Sequence, residues 1–366
     1  MRDSLYQQVY DRIREQIRNH DYPVGERLPS EAELLAEHEV STITLKRALD
    51  LLRDEGYIDR KPRRGTFVVS DVPTTGASET PKPLIGCIVT NFDDTFGSHI
   101  IGALLDTETP ANVVLKRSLG DPVVEERLIR ELVASGVQGL ILEPSSSEFA
   151  PPAIFELIMR AFPLAILDRV FEGVPVSSVC SDNVGAAKTA AEYLITLGHT
   201  RLGLVTSSSK VSAAEDRREG FVHAHAAAHI PHRPEAEYRL MESTVPGSDV
   251  PAEQDVAALR VFLSEHPELT AFVATEHNIA VLLRAALEQE GRTVPGDASI
   301  VSFDQPDTFY APASFHFSSI RQQQAAMGAE ALRLVVDQLA GPVPVQKVSL
   351  TTELVLGEST APRRDP

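Results

Sequence analysis

At intervals along this chain a short run of valine, isoleucine and leucine gives way to a carboxylate: Asp93-Asp94-Thr95-Phe96, Glu143-Pro144-Ser145, Asp168-Arg169, Ser181-Asp182-Asn183, Thr275-Glu276 and Asp304-Gln305. Carboxylates and amides accept hydrogen bonds from hydroxyls, a guanidinium such as that of Arg217 donates as a rigid fork, and the ring of Phe96 offers a flat apolar wall. That set suits the holding of a polyhydroxylated ligand. A plainer role is open for single members, since Asp168 or Asp182 could do no more than cap the following helix. A second cluster has the opposite sign. Arg60-Lys61-Pro62-Arg63-Arg64 puts four cations in five residues, the composition of a turn that tracks phosphate.

The carboxylates sit within an alternation of strands and helices. Strand-like runs stand at 84–89, 111–115, 139–142, 164–167, 202–205, 271–274 and 299–303. Helical stretches are expected at 98–105, 125–135, 152–161, 185–197, 217–228, 256–265 and 280–290. Short apolar strands separated by helices imply parallel sheets covered on both faces. There are too many units for one comfortable open sheet, so two sheets facing a cleft are expected. Ligands of parallel sheets bind beyond the carboxyl ends of the strands, where these polar residues fall.

The basic cluster closes a different kind of segment, residues 28–69. Ser30 and Glu33 form a capping box that starts a helix at about Glu31. Ser41 then caps a second helix, in which Leu45, Ala48, Leu49 and Leu52 make one buried stripe while Ile43, Lys46, Arg47 and Asp50 face outward, with Thr42 and Thr44 near its start. Periodicity alone leaves open an ordinary helical hairpin or a recognition helix for the DNA major groove. The cationic turn between strand-like 56–58 and 65–69 favours the second.

The formal net charge of -18 argues at first against nucleic acid. Charge acts by face, however, and residues 1–70 hold 12 Lys+Arg against 13 Asp+Glu, the remainder 22 against 39. The acid belongs to the second part. A Pro-, Thr- and Ser-rich stretch at 71–83 reads as an exposed linker whose prolines oppose a helix. No signal-like or membrane-spanning run is visible, so a cytoplasmic protein without membrane contact is expected. Cys87 and Cys180 lie in apolar runs and read as buried free thiols. His223, His225, His229 and His232 lack a visible Cys or carboxylate partner and read as an exposed helix end, so no metal is expected there. No Gly-rich phosphate cradle, nucleophile turn or other catalytic constellation is found, and neither an enzyme nor a cofactor is expected.

The linked motifs SLYQQVYDRIREQI, LPSEAEL, VSTITLKRAL, DEGYIDR and RGTFV resemble the winged helix-turn-helix of GntR-type repressors over residues 4–69. That resemblance implies DNA contacts at Ser41, Thr42, Thr44, Lys46, Arg47, Arg63, Arg64 and Gly65; Ala32 and Thr42 stand where family members carry arginine, and Arg63 where they carry glycine. From about 83 to 360, FPLAILDR, LITLGHTRLGLV, VPGDASIVSFD and ELVLGEST resemble the sugar-sensing domain of LacI/GalR-type repressors. This implies effector contacts at Asp94, Phe96, Asp168, Asp182, Arg217 and Asp304, with Glu143 as a weaker carry-over; Thr275-Glu276 replaces the family's Asn-Asp pair, which puts Glu276 beside them. The expected fold is multidomain: an α+β winged helix-turn-helix at 1–70, a linker at 71–83, and a two-lobed α/β periplasmic-binding-protein-like domain of parallel sheets at 84–366. The implied function is that of an arabinose-repressor-like regulator, a homodimer released from operator DNA by a sugar. A nucleobase or phosphorylated sugar, a corepressor, or a sugar-binding module with a non-DNA-binding head are the alternatives.

Overall fold

The computed structural model describes residues 5–61, 65–72, 82–93, 95–106, 108–306 and 315–363. The chain divides into two units, Met1–Lys82 and Pro83–Pro366. Most of the linker expected at 71–83 lies outside the described residues.

The first unit comprises α1 (Leu5–Arg18), α2 (Glu31–His38), α3 (Thr42–Asp54), β1 (Ile58–Lys61) and β2 (Gly65–Val68). The capping box forms as the sequence dictates: Ser30 Oγ accepts from the Glu33 amide, and the Glu33 carboxylate accepts from Ser30 N at 2.7 Å. Glu39 enters the left-handed region at φ 51° and ends α2, and two residues on Ser41 caps α3 through the Thr44 amide. The stripe Leu45, Ala48, Leu49 and Leu52 packs on Val9, Ile13 and Ile17 of α1 and Leu34 of α2. Each fully buried leucine or isoleucine there contributes about 1.5–3 kcal/mol. Strands β1 and β2 pair antiparallel, Ile58 opposite Val68 and Lys61 opposite Gly65.

The second unit runs β3 (Leu84–Val89), α4 (Ser98–Leu104), β4 (Asn112–Arg117), α5 (Pro122–Ala134), β5 (Gly139–Leu142), α6 (Pro152–Met159), β6 (Leu164–Leu167), β7 (Ser177–Ser181), α7 (Asn183–Thr196), β8 (Leu202–Ser207), α8 (Ser212–Ala227), β9 (Glu237–Met241), α9 (Ala252–Glu265), β10 (Ala271–Ala274), α10 (His277–Gln289), β11 (Ser299–Phe303), β12 (Ser318–Arg321), α11 (Gln324–Ala340), β13 (Lys347–Leu350) and β14 (Glu353–Val355). These strands make two sheets, ordered β13-β7-β6-β5-β3-β4 and β14-β12-β11-β10-β8-β9. All pairs are parallel except β12 with β14.

Continuous apolar strands follow from cover on both faces. In the first sheet Ile85, Cys87, Ile141, Ala165 and Leu167 pack with Ile100 of α4 and Met327, Ala331 and Val335 of α11, while Ile88, Leu140, Leu142 and Ile166 pack with Leu128, Leu132, Ile154 and Leu157 of α5 and α6. The second sheet repeats this between α9–α10 and α7–α8. The chain passes between the lobes after β7, β12 and β13, because α11 and β13 belong to the first lobe although they follow the second.

Cys87 is a buried free thiol, and Cys180 is free but only half-buried. The histidine-rich segment corrects the sequence reading. His225 is buried with Nδ1 2.9 Å from the Phe221 carbonyl oxygen, and His232 Nε2 lies 2.7 Å from Glu237 Oε1, so the carboxylate partner arrives from β9. Among the described residues no group of three metal-binding side chains forms, and no helix is long and apolar enough to cross a membrane.

Candidate functional site

The carboxyl ends of both sheets open on one cleft. Thr90, Asp93, Thr95 and Phe96 reach it from beyond β3, Glu143 from β5, Asp168 and Arg169 from β6, Ser207 from β8, Arg217 from α8, Thr275, Glu276 and His277 from β10, Asp304 from β11 and Gln322 from β12.

In the first lobe, Glu143 accepts from the Thr90 amide and hydroxyl, each at 2.8 Å, and from Arg169 Nη2 at 3.2 Å. Asp168 is buried in the left-handed region at φ 62°, a strained backbone of the kind kept at functional sites. Among the described residues its Oδ1 has no protein partner, nor do Nε and Nη1 of the neighbouring Arg169. Buried polar atoms without partners are costly. A hydroxyl-bearing ligand that donates to Asp168 and accepts from Arg169 removes that cost. Burial, reinforced by Glu143, pushes the Asp168 carboxyl up to about 7 against the pull of Arg169 and Arg217.

In the second lobe, Arg217 is held on three sides. Nε donates to Asn183 Oδ1 at 2.8 Å, Nη1 to the Thr275 carbonyl at 2.5 Å, and the guanidinium lies 4.1 Å over the Phe303 ring. Glu276 accepts from Ser207 Oγ at 3.1 Å, and burial raises its carboxyl. Asp304, at φ 58°, accepts from Gln322 Nε2 at 2.7 Å; burial pushes it up to about 6, opposed by Arg217 and Gln322. The turn bearing Phe96 is built by Asp93, whose Oδ1 accepts from the amides of Thr95 and Phe96 at 2.7 and 3.0 Å.

Phe96, Glu143, Asp168, Arg217, Glu276 and Asp304 are thus brought together. Asp182 is not among them: it is exposed, and its carboxylate caps α7 by accepting from the Gly185 amide at 2.9 Å. Asp94 lies outside the described residues. Sequence reasoning missed Thr90, Ser207, His277 and Gln322; a polar residue directly after the strand read at 84–89 was the available signal for Thr90.

On the first unit, Ser41 and Thr44 are tied to one another, Oγ to Oγ1 at 2.9 Å. Thr42, Ile43, Lys46 and Arg47 are exposed, Lys46 without an ion-pair partner among the described residues. The Arg47 guanidinium lies 4.4 Å over the Tyr6 ring of α1, which orients it. Gly65 opens β2 at φ 111°, while Arg63 and Arg64 fall outside the described residues. Arg60 is paired with Glu31 and is less available to phosphate than its place in the basic run suggests.

Residues 5–68 match the model of bacterial regulatory proteins of the gntR family, and residues 191–360 match the periplasmic binding protein-like domain. The chain is similar to the arabinose metabolism transcriptional repressor of Geobacillus stearothermophilus, 27% identical over 319 residues, 86% of this chain and 85% of that relative. Among solved structures, the transcription regulator CcpA of Lactococcus lactis shares the fold with a TM-score of 0.65 at 23% identity, over 76% of this chain and 99% of that one. A LacI family transcriptional regulator from Enterococcus faecium with bound ribose does so with a TM-score of 0.62 at 23% identity, over 77% and 100%.

Proposed function

We propose that this chain, a gntR-type helix-turn-helix head joined to a periplasmic-binding-protein-like body, is a cytoplasmic transcriptional repressor that binds operator DNA as a homodimer and is released by a sugar. One observation carries the reading. A single chain holds both a helix α3 with an exposed polar face, Lys46 unpaired among the described residues, and a cleft in which Asp168 and Arg169 keep buried polar atoms without protein partners.

A sugar in the cleft would bridge Asp168 and Arg169 of one lobe to Glu276 and Asp304 of the other and so favour lobe closure. Closure alters operator affinity only if the ligand binds the two states unequally; a coupling of about 1–3 kcal/mol gives roughly 5–150-fold. In a dimer the two heads would read half-sites about 34 Å apart or at multiples of that spacing. A phosphorylated ligand fits less well, because Arg217 is engaged on three sides and the carboxyl groups of Glu143, Asp168, Glu276 and Asp304 line the same cleft. The groups of the cleft hold hydroxyls and perform no bond-breaking step.

The test is an anisotropy titration of operator DNA with the full chain, repeated with L-arabinose, D-ribose and D-galactose. Weakened binding with at least one sugar is expected, and Lys46→Ala should lower DNA affinity and reduce the salt slope by about 1. Indifference of operator affinity to every sugar would sink the effector reading; unchanged DNA affinity in the lysine variant would sink the role of α3.

A further inference from the structure

We propose that Gln324 is a positioning residue that ties the cleft carboxylate Asp304 of the second lobe to the Phe96 turn of the first, so that what Asp304 binds is felt at that turn. The proposal rests on the cleft being the effector site.

Gln324 opens α11 and is only 7% exposed. Its Oε1 accepts from the Gly97 amide at 2.9 Å, and its Nε2 donates to the Thr95 carbonyl at 2.9 Å and reaches Asp304 Oδ1 at 3.4 Å. One primary amide thus grips both ends of the turn and touches the opposite lobe. Only an amide supplies an acceptor and donors together at one side-chain end. The glycine is held there by sterics: Gly97 has φ 95°, and a methyl would lie 2.7 Å from Phe92 Cβ.

The second oxygen of Asp304 is tied in the same manner. Gln322 Nε2 donates to Oδ2 at 2.7 Å while Gln322 Oε1 accepts from Ser181 Oγ at 2.7 Å, and Ser181 ends β7 in the first lobe. Both oxygens of one second-lobe carboxylate are therefore bound to glutamines that also hold first-lobe atoms. The 3.4 Å contact is the weakest link in this set. A ligand hydroxyl that donates to Oδ1 competes for that link and changes the hold on the turn.

The experiment is amide hydrogen exchange on the full chain without sugar, read at residues 95–97, with β10 as an internal check of folding. Gln324→Leu should raise Gly97 exchange roughly 2- to 12-fold, the range for one net hydrogen bond. Asp304→Ala, and in weaker form Asp304→Asn, should also raise exchange at the turn, and this effect should vanish in the Gln324→Leu background. If the Asp304 variants leave the turn unchanged, or act equally in both backgrounds, no coupling passes through Gln324 and the proposal falls. Unchanged Gly97 exchange in Gln324→Leu overturns it as well. Because no sugar is present, the outcome is independent of the operator titration, and failure of one is distinguishable from failure of the other.

Discussion

In the first lobe Asp168 follows β6, and in the second Asp304 follows β11, the strand at the same place in the matching sheet order. Both take the left-handed region, at φ 62° and 58°, and both line the cleft. Their partners differ. Asp168 keeps one oxygen without a partner among the described residues, whereas Gln322 and Gln324 occupy both oxygens of Asp304. The acid after the neighbouring strand differs too: Glu143 is buried against Arg169 and Thr90, while Glu276 is held by Ser207. One fold used twice has produced an aspartate with unmet hydrogen-bonding capacity after β6 and an aspartate tied to the crossovers after β11. From this comparison we propose that Asp168 and Arg169 contribute more to ligand affinity, and that Asp304 passes binding on through its glutamines.

The largest effect that could break this comparison is on stability. Glu143→Ala leaves the Arg169 guanidinium buried without its carboxylate and should destabilise the body by about 3–5 kcal/mol. Glu276→Ala removes a single hydroxyl contact and should cost about 1 kcal/mol. Urea unfolding of both variants decides, and equal losses would show that the lobes are not differently organised. Next in size is ligand affinity. At pH 8, above the folded Asp168 value of about 7, Asp168→Asn exchanges a charged acceptor for a neutral one at the unpartnered position, and calorimetry should show sugar affinity reduced about 10- to 150-fold, the range for a hydrogen bond to a charged group. Operator binding without sugar should stay as it was.

Much of this contrast was legible in the sequence, but unevenly between the lobes. Strands 139–142, 164–167, 271–274 and 299–303 were readable to the residue because both their faces are covered and their positions are almost all apolar. Strand β12 was not, because its buried Ser318 is satisfied by hydroxyls: its amide donates to Ser359 Oγ and its Oγ lies 2.8 Å from Thr360 Oγ1. With β12 unread, Gln322 and Gln324 had no strand end to mark them. Helix α11 was also unread; its contact side includes Gly328, which approaches the Ile100 backbone, and Ala331, a face that hydrophobicity underweights. Asp182 looked like Asp168 in sequence. The first crossover leaves the sheet at that point, so its carboxylate meets the start of α7 and caps it.

The smallest effect, and the one that separates the two aspartates most directly, is the pH dependence of stability. Burial raises the folded Asp168 carboxyl from the ordinary 3.8 to about 7, and Asp304 from 3.8 to about 6. A raised folded value means that the folded state holds a proton which the unfolded chain has released. The stabilisation is complete below the unfolded value and is lost as pH rises through the folded one. For Asp168 the loss therefore runs up to about pH 7, and for Asp304 it ends near pH 6. Glu125, raised to about 7 by burial, titrates in the same window as Asp168 and is present in every variant, so it cancels when variants are compared. Between pH 8 and 6 wild type should gain stability over Asp168→Asn, by at most about 1.4 kcal/mol per pH unit. Against Asp304→Asn the gain should be smaller and should develop mainly toward pH 5. Urea midpoints at pH 8, 7, 6 and 5 measure both differences; identical profiles for the two variants would mean that Arg217 and the glutamine bonds do not hold the proton affinity of Asp304 below that of Asp168.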